Sequence, residues 1–200
     1  MSQSAVRVAV VTRLAWIKRQ RAQFAQQARQ SPREMVSGET HYFLGRPYRL
    51  DVVKVAGRSS VRVRPGRVIE LRVRSAADAE ARQEVLRQWY REYLRGAVPP
   101  LLARWQEALG VRVSYCGIKR MKTKWGSANT KARRVWVNLD LAKKAPGCLN
   151  YIVLHELVHL LERHHDDRFV ALMDRHMPDW RHRRQVLNEA PLAHENWAHC

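Results

Sequence analysis

Apolar residues first recur at helical spacing between residues 5 and 30, at Val6, Val10, Leu14, Ile17, Phe24 and Ala28. Basic residues fill the gaps and Ser31-Pro32 stops the pattern, which predicts a basic amphipathic helix. From His41 to Val73 the period changes. YRLDVVKV, SVRVR and RVIELRV are alternating or β-branched runs separated by Gly57 and Pro65-Gly66, and they predict a strand meander over 41–73. Helical spacing returns over 75–109, with Val85, Leu86, Trp89, Tyr90 and Leu94 on one side. Gly96 and Pro99-Pro100 interrupt it, so two helices are expected, the second ended by Gly110. Short strands are expected at Val111–Ile118, around Met121–Trp125, and at Arg134–Leu139, where RVWVNL alternates cleanly. Pro146-Gly147 opens another helix, and Pro178 a last one through Trp180 and Leu187. Residues 189–200 have no period and read as a loose tail. The order is helix, strands, helices, strands, helices. It implies one α+β domain over 1–200, with a core at 111–188.

The segment opened by Pro146-Gly147 contains YIVLHELVHLLERHHDDRF, residues 151–169. On a helix, His155 and His159 stand one turn apart on one face, where two imidazoles can grip one ion. Glu156 follows the first and can reach a water on that ion. Ile152, Val153, Leu154, Leu157, Val158, Leu160 and Leu161 surround this polar stripe, so the helix is a buried one. Burying three titratable groups is costly unless they are paired or bound to metal. A catalytic ion usually takes a third protein ligand and keeps one position open. His165 lies six residues past His159, on the wrong side of a continuous helix. It joins only if the helix ends near 162–164 and the chain turns back, with Asp166 and Asp167 in the first turn of a new helix. His164 is the competing third ligand.

Composition narrows the setting. No run of apolar residues is long enough to span a bilayer, so no membrane partner is expected. The first residues carry arginines within their apolar part and no cleavage-like pattern, so no signal peptide is expected. Three widely spaced cysteines, Cys116, Cys148 and Cys200, argue against a disulfide framework and for a reducing, cytoplasmic setting. Thirty-seven Lys and Arg against 18 Asp and Glu give a formal charge of +19. That field attracts polyanions, so non-specific contact with nucleic acid or nucleotides is an expectation. No zinc finger, helix-turn-helix or RNA-binding aromatic motif accompanies the charge.

The run from Lys124 to Phe169 resembles the YgjP-like metallopeptidases, relatives of the SprT-type zinc peptidases. The resemblance rests on Trp125-Gly126-Ser127, Asn138, Pro146, His155 to His159, His165 and Phe169, in that order and spacing. Gly38-Glu39, Leu44-Gly45-Arg46, Tyr48-Arg49-Leu50 and Trp16-Ile17 also fit. Ala128 stands where the family often has cysteine. The resemblance implies a small zincin-like fold with a short, mostly antiparallel sheet and a buried HExxH helix. It also implies His165 as third ligand and RVWVNL as an edge on which an extended peptide can add.

Three imidazoles suit Zn2+ best, with other divalent transition metals as alternatives. Glu156 would be the general base toward a water acidified by the ion. Trp125 and Asn138 are the candidate substrate-binding residues, Trp125 as a wall of the cleft. Asn138, Tyr151, His164 and His176 are candidate donors to an oxyanion. The leading expectation is a zinc-dependent peptidase acting on protein or peptide, near nucleic acid. One alternative is a metal-dependent nucleoside triphosphate (pyro)phosphohydrolase, against which stands the lack of a phosphate loop and of a carboxylate-rich magnesium site. Another is a non-catalytic nucleic-acid-binding module with a structural metal, which would have no need of Glu156.

Overall fold

A computed structural model describes residues 34–189, together with Leu14 and Lys18. The helix expected over 5–30 and the tail beyond Glu189 lie outside the described residues. Four strands come first: β1 (Thr40–Phe43), β2 (Arg46–Lys54), β3 (Ser60–Arg64) and β4 (Val68–Val73). They form one sheet in the order β1-β2-β4-β3. β1/β2 and β3/β4 are antiparallel hairpins, and β2/β4 is a parallel pair with Leu50 opposite Ile69. Ile69, Leu71 and Val73 alternate into the core, as the sequence period requires.

The β1–β2 turn is made by Leu44 and Gly45, both at positive φ (53° and 78°). Two such residues are what a two-residue hairpin of the right twist needs. The Leu44 and Gly45 amides donate to the carbonyls of Ala142 and Lys143, at 3.0 and 3.1 Å. A Cβ on Gly45 would lie 2.9 Å from the Ala145 nitrogen. The first hairpin is thereby docked on the segment that feeds the HExxH helix.

Helix α1 (Ala79–Leu109) follows, capped by Asp78, whose side chain accepts from the Ala81 amide at 2.8 Å, and ended by Gly110 at φ 64°. It is continuous through Pro99 and Pro100, where two helices were expected. Each internal proline costs roughly 3 kcal/mol. Leu86, Tyr90, Leu94, Val98 and Leu102 recur every fourth residue across the prolines, with Trp105 beyond, and all are buried. At about 1.5–3 kcal/mol for each large apolar side chain, that shared stripe outweighs the two prolines.

A second sheet holds β5 (Tyr115–Lys119), β6 (Gly126–Asn129) and β7 (Arg134–Asn138), in the order β5-β7-β6. β5/β7 is parallel and β6/β7 antiparallel. The molecule is thus α+β as expected, but with two small mixed sheets in place of one mostly antiparallel sheet. Alternation reports which face is buried and not the direction of the neighbouring strand. The strand expected around Met121–Trp125 is a turn, and β6 begins only at Gly126. The Asn138 amide explains the shift. Its Nδ2 donates to the carbonyls of Met121 and Lys124, both at 2.8 Å, and so takes backbone acceptors that a ladder would need. A short 3-10 turn (Leu139–Lys143) then leads into α2 (Pro146–Val158), α3 (Asp167–His176) and α4 (Trp180–Glu189). No helix among the described residues is long and apolar enough to cross a membrane.

Candidate active site

Helix α2 starts at Pro146, where a residue without an amide hydrogen costs nothing. Leu149, Ile152, Val153, Leu154, Leu157 and Val158 are all buried, so the helix is enclosed on nearly every side. It stops at Val158, earlier than the 162–164 boundary expected, and His159 caps it. The Leu161 and Glu162 amides both donate to the Val158 carbonyl at 2.9 Å, which tightens the exit. Asp166 then caps α3 by accepting from the Phe169 amide at 3.0 Å. The chain has reversed between these two caps, and His165 returns to the face carrying His155 and His159.

The three imidazoles meet there. Ring centroids lie 4.8 Å (His155–His159), 5.0 Å (His155–His165) and 4.7 Å (His159–His165) apart, and the Nε2 atoms of His155 and His165 are 3.2 Å apart. One candidate ligand atom from each residue lies within 4.8 Å of the others. Phe169 forms the floor, its centroid 4.6–5.0 Å from all three rings. His159 Nδ1 is 3.1 Å from the Glu162 carbonyl. As donor in that bond it keeps the proton and leaves Nε2 a lone pair. His155 Nδ1 is buried with no hydrogen-bond partner among the described residues. Exposed His164 is outside the cluster.

The donor set fits a tetrahedral ion. Two nitrogens about 2.1 Å from one tetrahedral centre stand about 3.4 Å apart, close to the separation observed between His155 and His165. Burial drives the His155 pKa down to about 3, with the neighbouring His159, His165 and Arg184 charges in the same direction. Burial lowers His159 as well. Both rings are therefore neutral near pH 7, the form that binds a metal.

Glu156 is 6% exposed. Burial raises its carboxyl to about pH 7, opposed by the charge of Lys124. It packs directly against Gly126, the first residue of β6. A Cβ there would fall 2.5 Å from Glu156 Oε1 and 2.6 Å from its Cγ. Glycine at this position is what lets the sheet approach the carboxyl. Tyr151, one turn before His155, meets that ring edge-on (5.7 Å, 62°) and stacks on Trp180 of α4 (6.3 Å, 11°).

The remaining expected residues fall in different places. Trp125 is half-buried beside Gly126, with Lys144 Nζ 5.2 Å from its ring. Asn138 is buried, and besides its two donated bonds its Oδ1 accepts from the Asp140 amide at 3.1 Å. Its side chain is used up inside the fold, so it orders the 121–125 turn and offers nothing to a substrate. His176 packs edge-on against Trp105 of α1. The strand RVWVNL is also corrected. Its first five residues form β7, paired on both sides, and the outer strands of this sheet are β5 and β6, of which β6 meets Glu156.

Four residues were not singled out for a role from sequence. Gly126 and Phe169 lay within the family pattern, but only the fold shows what they touch. Lys124 is the basic residue whose charge reaches Glu156. Arg184 is exposed on α4, and its charge reaches both His155 and Tyr151. Its neighbours Arg181 and Arg183 are held by Asp174 and Asp179, whereas Arg184 has no acidic partner among the described residues. Its one sequence signal is a position one turn past Trp180.

The model of the YgjP-like metallopeptidase domain matches residues 1–190. The chain belongs to the YgjP-like metallopeptidase family. Two metallopeptidase zymogens are similar solved structures: abylysin of Pyrococcus abyssi and jannalysin of Methanocaldococcus jannaschii. Each is 20% identical, and the alignments cover 46% of this chain and 89% and 88% of theirs, with TM-scores of 0.41 and 0.42. No curated protein matches the chain at a significant level. Membership of the YgjP-like family, with the histidine triad and a buried glutamate beside it, makes this a metal-dependent hydrolase.

Proposed function

We propose that this YgjP-like protein is a zinc peptidase that cleaves polypeptide laid in extended form along β6. The observation that carries the reading is the junction of Gly126 with Glu156. It sets the end of an outer strand against the carboxyl that shares a helix with two of the three imidazoles. A strand paired on one side only can take a peptide as its next neighbour, which carries an amide bond past Glu156.

Zinc held by His155, His159 and His165 would supply a Lewis acid and an acidified water. Glu156 takes the proton of the attacking water, and its raised pKa makes it a base of suitable strength near neutrality. The same carboxylic acid then delivers the proton to the departing amine. Tyr151 is held by its stack on Trp180, facing the His155 ring. The Arg184 charge reaches both Tyr151 and His155, so Tyr151 and Arg184 are the proposed groups to balance charge that develops on the carbonyl oxygen.

The test is cleavage of a mixed peptide library by the zinc-loaded protein, read by mass spectrometry, with nucleoside triphosphates assayed in parallel. Peptide products that need Glu156 are expected. Triphosphate hydrolysis without peptide products would replace this reading with the phosphohydrolase one. Metal analysis accompanies it: His165→Ala is expected to lose the ion and His164→Ala to keep it. The reverse result would overturn the ligand assignment.

A further inference from the structure

Between Val111 and Leu139 the chain has eight basic residues and no acidic one. This stretch builds the whole second sheet and its two connections. Lys122 and Lys124 stand in the turn just before β6, and Lys131 and Arg133 in the turn just after it. All four are exposed, and none forms an ion pair among the described residues. Elsewhere on the surface some basic residues are paired, while others, such as Arg46, Arg62 and Arg163, form no ion pair among the described residues. Arg87 and Arg95 bind Glu84 and Glu92 on α1, Arg64 binds Glu70, and Arg181 and Arg183 bind acids of α3 and its exit. What sets β6 apart is that cations stand at both ends of one outer strand, with no acidic residue between Val111 and Leu139, and such a field attracts an external anion.

Resting on the peptidase reading above, we infer that the protein selects acidic polypeptides, with carboxylates on both sides of the segment that pairs with β6. The four residues of β6 span about 13 Å, so the two basic turns stand roughly that far apart. A peptide strand paired with β6 runs from one turn to the other. Carboxylates near each end meet Lys122 and Lys124 on one side, and Lys131 and Arg133 on the other. A polypeptide suits this surface better than a nucleic acid because the edge between the turns offers backbone donors and acceptors at strand spacing, which only another backbone matches. Charge at the ends then decides which backbone is held.

Binding is measured by fluorescence anisotropy on the zinc-loaded Glu156→Gln protein, so cleavage does not enter. The ligands are three ten-residue peptides of one central sequence with Glu, Ser or Lys flanks, and a DNA single strand of the same net charge as the Glu peptide. The Glu peptide is expected to bind about tenfold more tightly than the Ser peptide in dilute buffer, and the Lys peptide more weakly than either. The advantage should shrink toward unity near 1 M salt, where charges are screened within about 3 Å. Lys122→Glu/Lys131→Glu is expected to invert the order while zinc content and Tm stay at the parent values. Because both side chains are exposed and unpaired, the parent protein's salt series is a second measurement that no folding defect can confuse.

Equal binding of the three peptides, or an order the double variant leaves unchanged, overturns the inference. DNA binding at least tenfold tighter than the Glu peptide, and lost in the double variant, overturns it in favour of nucleic acid. The peptidase reading fails separately, when peptides bind in this order but the unsubstituted protein cleaves none.

Discussion

The cleft has two walls that treat charge in opposite ways. On the helical wall, His155, Glu156 and His159 sit among buried apolar side chains, and burial moves each pKa toward the neutral form. On the sheet wall, the basic residues Lys122, Lys124, Lys131 and Arg133 are exposed. Reactivity needs the first environment, because a carboxylate in water is a weak base with a low pKa, and a protonated imidazole binds no metal. Selection needs the second, because exposed charge costs little to keep and acts over about a Debye length. The difference separates catalysis from recognition by substitution and by salt.

The largest break of the comparison is Glu156→Gln. The amide fills the same space and cannot take a proton. Turnover should fall by about 10²–10⁴-fold while zinc content stays at one per chain. Above the acid limb of the parent profile, where Glu156 is ionised, added salt should not change that ratio. Retained turnover in this variant would remove Glu156 from the chemistry.

Gly126→Ala joins the walls by steric means. The new Cβ would stand 2.5 Å from Glu156 Oε1, closer than any real contact, so the carboxyl must swing away. A displacement of about 1 Å at a reacting group can cost roughly 10²-fold. The expected result is a loss of that order in kcat with Tm and zinc content little changed. Full activity would show that Glu156 has room to move without consequence, and would weaken the junction that carries the functional reading.

The helical wall also carries a cost that the metal-free protein reveals. Glu156 holds its proton to about pH 7 when folded, against an ordinary value of 4.5. Between those values the unfolded chain has released a proton that the folded chain retains, so stability falls as pH rises through this window. Glu156→Gln removes the term. Without metal, the variant and the parent should be equally stable near pH 4, and the variant more stable near pH 8, by at most about 3 kcal/mol. His155 has the opposite sign: it stays neutral to about pH 3, so its contribution is lost as pH falls from 6.5 toward 3. That loss is common to both proteins and cancels in the difference. Denaturant titrations at the two pH values check it, and a parent more stable than the variant at pH 8 would contradict the buried-carboxyl account.

These walls differed in how readily they could be read from sequence. His155, Glu156 and His159 were legible because helical spacing fixes their common face, and the start of α3 because carboxylates favour a helix N-terminus, although Asp166, expected in the first turn, is the cap. β7 was legible as a strand from its alternation, yet its place in the centre of the sheet was not, since pairing is a non-local choice. Pro99 and Pro100 misled because a local breaker was overruled by a stripe buried through tertiary packing. The turn at 121–125 was hidden in the same way by the distant Asn138 amide. Gly126 was visible as a letter in a motif, but its reason lies 30 residues downstream, in the carboxyl it makes room for. The charge was obvious as a total, and its concentration around β6 becomes meaningful only once β6 is known to be an outer strand.

The smallest effect tests the electrical link between the walls. Lys124 lies on the sheet side, and its positive charge lowers the Glu156 pKa against the larger upward push of burial. Lys124→Ala removes a favourable partner of the ionised carboxylate, so the pKa of Glu156 must rise. The base is active only when ionised, hence the acid limb of the kcat/KM profile should move to higher pH. Bound zinc acts on Glu156 in both proteins, so the direction of the difference survives its presence. Salt should imitate the substitution, because screening weakens the pull of an exposed lysine on the carboxyl across the cleft. The parent profile in high salt should therefore approach that of Lys124→Ala in low salt, and the variant should respond to salt less than the parent. A shift of the limb to lower pH, or equal salt responses, would mean that the walls are electrically independent and that Lys124 serves substrate selection alone.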